Sequence, residues 1–325
     1  MKQRSTYFDA IKFSLIILVI IGHLIAKYIS NPINNTIYNF IYLFHMPLFI
    51  FISGYFHKKF DWQSSKKSIF RIVEIYILLQ IIWFFIWGKF DLYHLLKPSW
   101  TLWYLLSIIW WRILANLTVP YINKRILIPL SFIVATAWGF LEFDGEIFSV
   151  NRTIAFFPFY LLGVYCTEDV IQKIRKINIL IPIVIILIAL VYTQLPLIKN
   201  FENFQQLLWG SKSYSELSNN ITNVLSLKFA NTIIAIFLSL AFIRLIPDTK
   251  ILYTNGKDTL FYYVYHTFFI KAINLVLGKL YPDFENTFGL LLISIALVVI
   301  LSYANKIKFF HRILTPYTSF IKHEK

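Results

Sequence analysis

The stretch AIKFSLIILVIIGHLIAKYI, residues 10–29, decides the fold of this chain, because it is a predominantly apolar run of membrane-spanning length. The hydrocarbon core of a bilayer is about 30 Å thick and a helix rises 1.5 Å per residue, so about 20 apolar residues cross it once. Further windows of this kind follow near residues 37–56, 69–88, 99–115, 126–142, 153–167, 179–197, 228–246, 258–278 and 288–305. We therefore predict an all-α fold, a polytopic membrane helix bundle with about ten transmembrane helices.

The composition excludes a water-soluble globular protein. Of the 325 residues, 58% are hydrophobic and 14% are charged, whereas soluble domains carry about 25% charged residues. The Trp and Tyr residues suit the aromatic belts at the headgroup level. No appended soluble region is apparent, so we expect a single integral membrane domain over residues 1–325, with a basic cytoplasmic tail at 306–325.

The charge balance indicates the orientation of the chain in the membrane. Lys and Arg number 31 against 16 Asp and Glu, a formal charge of +15. In a soluble protein this excess would suggest nucleic-acid binding, but membrane proteins collect Lys and Arg in cytoplasmic loops. With a cytoplasmic N-terminus, 20 of the 31 fall in inner segments and 8 in outer loops. We expect both termini in the cytoplasm, the lipid bilayer as a partner and no nucleic acid.

The first window contains ionisable side chains at membrane depth, namely Asp9, Lys12 and His23. Such side chains are costly there and count as functional candidates. Lys12 and His23 are eleven residues apart, which is about three turns and about 16 Å, so they share one helix face at different depths. The pattern indicates a polar stripe that lines a channel.

His45, in YLFHMPLFIFISGYFHKK, lies about 13 Å below the outer surface in the second window, at a depth similar to that of His23. Two imidazoles from adjacent antiparallel helices can converge, and a neutral imidazole can take a proton from a hydroxyl or carry an acyl group. The alternative is that each imidazole only hydrogen-bonds a backbone carbonyl. We expect no metal site, because no Cys, carboxylate or second His stands at ligand spacing nearby.

A basic segment follows the second window and holds Lys58, Lys59, Lys66, Lys67 and Arg71. These charges either set the topology or form a phosphate cradle for an anionic donor from the cytoplasm. Both interpretations can hold together.

Four further residues are candidates for substrate contact. Trp103 and Tyr104, in PSWTLWYL, are either belt aromatics or a stacking surface for sugar rings. Arg152 opens the sixth window from the outside, where a topogenic charge is disfavoured, so it can contact a substrate or a carboxylate. His266 lies about 12 Å inside the ninth window from the cytoplasmic face. Arg112 is equally a structural ion-pair member or a reactant.

Five separated segments carry a resemblance to a known family. They are YFDAIKFSLIILVIIGH, FHMPLFIFISGYF, PSWTLWYLLSI, VNRTIAFFPFYLLG and, more weakly, YYVYHTFF. In this order they resemble the membrane-bound acyltransferase family 3, and in particular its fucose 4-O-acetylase-like branch of sugar O-acetyltransferases. The family pattern places a basic residue, often Arg, before a histidine with ten residues between them, and Lys12 occupies that place before His23. Lys lacks the bidentate fork of Arg.

The resemblance implies an O-acyltransferase of a bacterial cell membrane. Such enzymes move an acyl group, usually acetyl from cytoplasmic acetyl-CoA, to a hydroxyl of a capsular or other cell-surface polysaccharide or its lipid-linked oligosaccharide precursor. Acetyl-CoA is then a cosubstrate and no cofactor is permanently bound. The implied catalytic residues are His23, His45, Asp9 and Lys12, with Lys12, Lys67 and Arg71 for the donor, and Trp103, Tyr104, Arg152 and His266 for the acceptor. In this hypothesis His23 is a general base or transient acyl acceptor, and His45 or a nearby donor stabilises the oxyanion.

Two other functions fit a polytopic bundle with intramembrane ionisable residues. A glycan exporter or proton-coupled transporter is one, although no inverted repeat supports it. A polysaccharide polymerase is the other, but larger outer loops would be expected for two lipid-linked chains.

Overall fold

The computed structural model describes residues 5–88, 90–281 and 284–310, which form sixteen α-helices and contain no strand. The first eight helices are α1 (Thr6–Ile25), α2 (Pro32–Tyr55), α3 (Trp62–Trp87), α4 (Leu92–Leu96), α5 (Trp103–Thr118), α6 (Lys124–Ala137), α7 (Val150–Tyr165) and α8 (Glu168–Arg175). The second eight are α9 (Leu180–Thr193), α10 (Pro196–Lys199), α11 (Phe204–Trp209), α12 (Tyr214–Leu217), α13 (Ile221–Leu245), α14 (Lys250–Gly256), α15 (Thr259–Leu280) and α16 (Thr287–Ala304). Single 3₁₀ turns precede α5, follow α6 and precede α7.

Each of the ten apolar windows coincides with a helix, so the prediction of an all-α polytopic bundle is confirmed. In the described part of the chain, seven helices are long and apolar enough to cross a membrane: α1, α2, α3, α7 with its preceding turn, α13, α15 and α16. The pair α8 and α9, bent by 87°, makes an eighth span if it crosses as one unit. The remaining two windows form α5 and α6, of 16 and 14 residues. Part of the predicted basic tail, residues 311–325, lies outside the described residues.

The chain forms two compact units. Among the described residues, the first unit consists of 5–49, 169–201, 234–281 and 284–310, and the second consists of 50–88, 90–168 and 202–233. Helices α2, α8 and α13 contribute residues to both. The prediction of a single domain over 1–325 stays a prediction.

Helix α1 is the central element of the first unit, with α14, α15 and α16 packed on it. Of its apolar window, 72% is buried, whereas only 22% of the α16 window is. The end of α14 touches the α1 backbone because Gly256 has no side chain; a Cβ there would lie 1.8 Å from the carbonyl oxygen of Asp9. The Tyr7 hydroxyl donates a hydrogen bond to the Ile243 carbonyl, and the Arg175 guanidinium lies 4.1 Å from the Tyr7 ring centre.

In the second unit, the end of α2 and helix α7 are in backbone contact. A Cβ on Gly54 would lie 2.0 Å from the Tyr160 carbonyl oxygen, and one on Gly163 would lie 1.9 Å from the Phe51 carbonyl oxygen. The Lys58 ammonium, just after α2, donates to carbonyls at the end of α7, at distances of 2.8 Å to that of Val164 and 3.0 Å to that of Cys166. A cation at these unsatisfied carbonyls stabilises the helix end.

Candidate active site

Three histidines from three helices of the first unit lie together with one tyrosine. His23 is on α1, Tyr42 and His45 are on α2, and His266 is on α15. Tyr42 and His45 face the same way because they are three residues apart on a helix. We call these four residues the histidine cluster.

His23 is the accessible imidazole of this cluster. It is half-buried, whereas His45 is 2% and His266 is 0% exposed. The His23 Nδ1 lies 3.1 Å from the Tyr42 hydroxyl oxygen, and the His23 ring stacks on the His266 ring with 5.5 Å between centroids. The Tyr42 ring also contacts His45, at 4.7 Å between centroids. His23 and His45 are predicted to lie at a similar depth in the membrane. In the structure both contact Tyr42.

The two buried imidazoles have a defined tautomer. The Nδ1–H of His45 donates to the Ile41 carbonyl and that of His266 donates to the Tyr262 carbonyl, each at 2.8 Å. A carbonyl only accepts, so Nδ1 carries the proton, and Nε2 of the neutral ring is an acceptor. His45 therefore makes the backbone bond that the sequence left open as an alternative. In its neutral form it has no second N–H with which to stabilise an oxyanion.

Tyr42 determines what His23 can do. If the His23 Nδ1–H donates to the Tyr42 oxygen, the lone pair of the neutral ring is on Nε2, which can then act as a general base or nucleophile. If Tyr42 donates instead, Nε2 carries the proton and is only a donor. The base-competent state therefore requires Tyr42 as a hydrogen-bond acceptor, and Tyr42 orients the ring.

Asp9 and Lys12 form an ion pair at the start of α1, with 2.7 Å between the Lys12 Nζ and the Asp9 Oδ1. Asp9 is buried, and the Lys12 side chain is 22% exposed. Eleven residues of helix separate Lys12 from His23, which is about 16 Å. The pair lies in the same unit as the histidine cluster, three turns away from it.

The predicted acceptor residues Trp103, Tyr104 and Arg152 lie in the second unit. The Arg152 guanidinium lies 5.2 Å from a Trp103 ring centre, a cation–π contact. The Tyr104 and Ser53 hydroxyl oxygens are 2.7 Å apart. His266, the fourth predicted acceptor residue, is in the first unit and stacks on His23.

Strained backbone positions Arg152 at the start of α7. Phe148 and Ser149 have φ values of 52° and 56°, which are uncommon for residues with a side chain. Glu146, the nearest acidic residue before Arg152 in the sequence, forms an ion pair with Lys97. The cation–π contact thus brings a half-buried cation and a half-buried aromatic ring together.

The predicted donor residues Lys67 and Arg71 are exposed in the first turns of α3, in the second unit. They are four residues apart and share a helix face. In the ranges that the structure describes, no group of three or more His, Cys, Asp or Glu side chains could hold a metal ion.

Comparison with known families identifies the chain. A family model described as "Acyltransferase domain" matches residues 5–304, nearly the whole chain. The chain belongs to acyltransferase family 3. Comparisons with curated proteins and with solved structures gave no match. This acyltransferase is a multi-pass membrane protein, so the resemblance is confirmed at the level of the family.

Sequence reasoning missed two residues of this acyltransferase that the structure singles out. Tyr42 could have been found, because its spacing from His45 places both on one face of α2. His57, in the turn after α2, lies in a polar segment next to Lys58, and nothing in that pattern predicts that its ring is buried.

Proposed function

We propose that this acyltransferase O-acylates a sugar, moving acetyl from cytoplasmic acetyl-CoA to a hydroxyl of a cell-surface polysaccharide or its lipid-linked precursor. The protein would act in the cell membrane with both termini in the cytoplasm, in the manner of the fucose 4-O-acetylase-like branch. The half-buried His23, whose Nδ1 lies 3.1 Å from the Tyr42 hydroxyl oxygen, carries the proposal.

The proposed chemistry needs one base that can return its proton. The His23 Nε2 takes the proton of the sugar hydroxyl while the hydroxyl oxygen attacks the thioester carbonyl. The carbon–sulfur bond of the tetrahedral intermediate then breaks, and the leaving thiolate takes the proton back from His23. In the covalent variant, Nε2 attacks the thioester carbonyl and the carbon–sulfur bond breaks to release the CoA thiolate. The sugar oxygen then attacks the acyl-imidazole, the carbon–nitrogen bond breaks, and the hydroxyl proton passes to the thiolate. The Tyr42 oxygen holds the Nδ1–H in both variants.

The remaining predicted residues have roles consistent with this reaction. Lys67 and Arg71 are exposed cations that suit the phosphates of the donor. The stacked Trp103 and Arg152 suit a sugar ring that carries an anionic group. Asp9 neutralises Lys12 at the start of α1 and thereby keeps a polar entrance at low cost.

The test replaces His23 by Ala in the full-length protein. Acetyl transfer per mole of purified, monodisperse enzyme should fall by about 10²- to 10⁴-fold, because this is the usual contribution of a general base. CoA binding, measured by calorimetry, should be unchanged. His94→Ala is the matched control, since His94 pairs with Asp91 on α4, away from the cluster residues in sequence. Turnover of His23→Ala within a few fold of the wild type would contradict the assignment.

A deletion strain separates this proposal from export or polymerisation. Loss of an ester from the surface glycan with unchanged chain length supports O-acylation. Loss of the surface polymer itself supports an exporter or a polymerase.

A further inference from the structure

Arg112 is a cation in the middle of an apolar helix. It is the only charged residue of α5, WYLLSIIWWRILANLT. Its Nε is buried and has no hydrogen-bond partner among the described residues, and no described carboxylate forms an ion pair with it. Charged side chains at membrane depth normally face a partner or a polar cavity. Arg112 therefore needs an anion that the described residues do not supply.

His57 provides a second unsatisfied donor in the same unit. It is 4% exposed, and its Nδ1 lies 2.8 Å from the Tyr160 hydroxyl oxygen. Its Nε2 is buried and meets no acceptor with hydrogen-bond geometry in the described part of the chain, although the Lys59 backbone lies close to the ring. Burial, together with the charge of Arg112, lowers the pKa of His57 to about 4. The ring is neutral at physiological pH, and when Tyr160 donates to Nδ1 the single N–H is on Nε2.

The surroundings of Arg112 and His57 are rigid and cationic. The contact of Gly54 with the α7 backbone holds the end of α2, and so the turn that carries His57, against α7. The charges of Arg112 and Lys58 both act on His57. Trp111, the residue before Arg112, stacks on the Tyr160 ring with 5.8 Å between centroids, and the Tyr160 hydroxyl is the hydrogen-bond partner of His57. Two donors with no counter-charge among the described residues are what an anion site requires.

We propose that the half-buried Arg112 and the buried His57 form a subsite for a phosphate group of the acyl-CoA donor; this rests on the proposed function. A guanidinium binds phosphate oxygens in bidentate fashion, and the His57 Nε2–H adds a neutral donor. The His57 turn follows α2 on the side where the basic segment with Lys67 and Arg71 begins, which is the cytoplasmic side in the proposed orientation. Those exposed cations attract the donor over a distance, and Arg112 and His57 together hold one phosphate.

The experiment measures CoA and phosphate-free pantetheine binding to the full-length protein in detergent by calorimetry. Arg112→Gln should weaken CoA binding by about 10- to 100-fold, the range of a charge-assisted hydrogen bond, and His57→Gln should weaken it by about 3- to 10-fold. Pantetheine binding should change by less than twofold in both. Arg125→Gln, which removes an exposed arginine at the start of α6, is the control and should bind both ligands like the wild type.

Three outcomes in the variants would overturn the subsite. CoA binding unchanged in Arg112→Gln and His57→Gln would do so while leaving the proposed function intact. Equal weakening of CoA and pantetheine would indicate a structural role. Loss of co-purified phospholipid phosphate with unchanged CoA binding would identify a lipid headgroup as the occupant.

If the wild type binds no CoA, both the subsite and the proposed donor fail. If Arg112→Gln does not give monodisperse protein, the same comparison of CoA and pantetheine binding is made with His57→Gln and Arg112→Lys.

Discussion

The two units each contain a histidine that faces a tyrosine hydroxyl, and the two pairs differ in what surrounds the second ring nitrogen. In the first unit, the His23 Nδ1 and the Tyr42 hydroxyl oxygen are 3.1 Å apart, the imidazole is half-buried, and it stacks on the His266 ring. In the second unit, His57 and Tyr160 are 2.8 Å apart, and the ring is buried near Arg112. The same pair thus suits an accessible base in one place and a fixed neutral donor in the other.

The largest expected effect comes from disrupting the backbone contact between α2 and α7, which holds His57 and Tyr160 together. Gly163→Ala places a Cβ 1.9 Å from a backbone oxygen, which cannot move as the end of a side chain can. We expect the unfolding free energy to fall by about 3 kcal/mol, the upper end of overpacking effects. The measurement is the midpoint of thermal unfolding in detergent.

Gly278→Ala is the control for that substitution. A Cβ at Gly278 meets only the end of the Lys27 side chain, at 3.0 Å, and alanine is the better helix former. Its midpoint should equal or exceed that of the wild type. A similar fall in both variants would show that backbone contact is not what distinguishes Gly163.

Removing each tyrosine hydroxyl in turn tests whether the two histidine–tyrosine pairs have different roles. Tyr42→Phe should lower kcat about tenfold, or about 1.4 kcal/mol in the activation barrier, because His23 loses the acceptor that orients it. Tyr160→Phe should instead lower stability by about 1–2 kcal/mol, because the His57 Nδ1 is left buried and unsatisfied. Activity per folded molecule and unfolding midpoints are measured for both variants. The same response from both would mean that the pairs do not differ in role.

The smallest expected effect is the dependence of stability on pH. Burial, then the charge of Arg112, lowers the pKa of His57 from 6.5 to about 4 in the folded state. Between these values the unfolded chain binds more protons, so stability falls as the pH falls below about 6.5. From pH 7.5 to 6 the loss is at most about 1 kcal/mol. The unfolding midpoints of the wild type and of His57→Gln are measured across this pH range, and their difference gives the contribution of His57. If the two midpoints change in parallel with pH, the lowered pKa of His57 is contradicted.

Much of the fold could be predicted because a membrane imposes strict rules. Every apolar window became a helix, since unpaired backbone groups are too costly in lipid. Depth along a helix brought His23 and His45 to a common level, which their shared contacts with Tyr42 agree with. Their catalytic roles stay predictions.

The place of His266 could not be predicted from the same arithmetic. Counting from the cytoplasmic end of its window gives a depth of about 12 Å, well below His23. The packing of α14 and α15 on α1, with Gly256 against Asp9, instead brings the His266 ring onto that of His23 at 5.5 Å between centroids. The burial of His57 could not be predicted for a related reason, because it depends on packing against Tyr160, which is 103 residues later in the chain.

The central place of α1 has a consequence for biosynthesis. The helices that cover it, α14 to α16, follow it in the chain only after α13. At about 5–20 residues per second, the interval between the synthesis of Asp9 and that of Gly256 lasts about 12–50 s. During that time α1 stands in the bilayer without these neighbours. The ion pair of Asp9 and Lys12, three residues apart on one helix, needs no later segment to form. It can therefore neutralise the nascent helix until α14 to α16 pack on it.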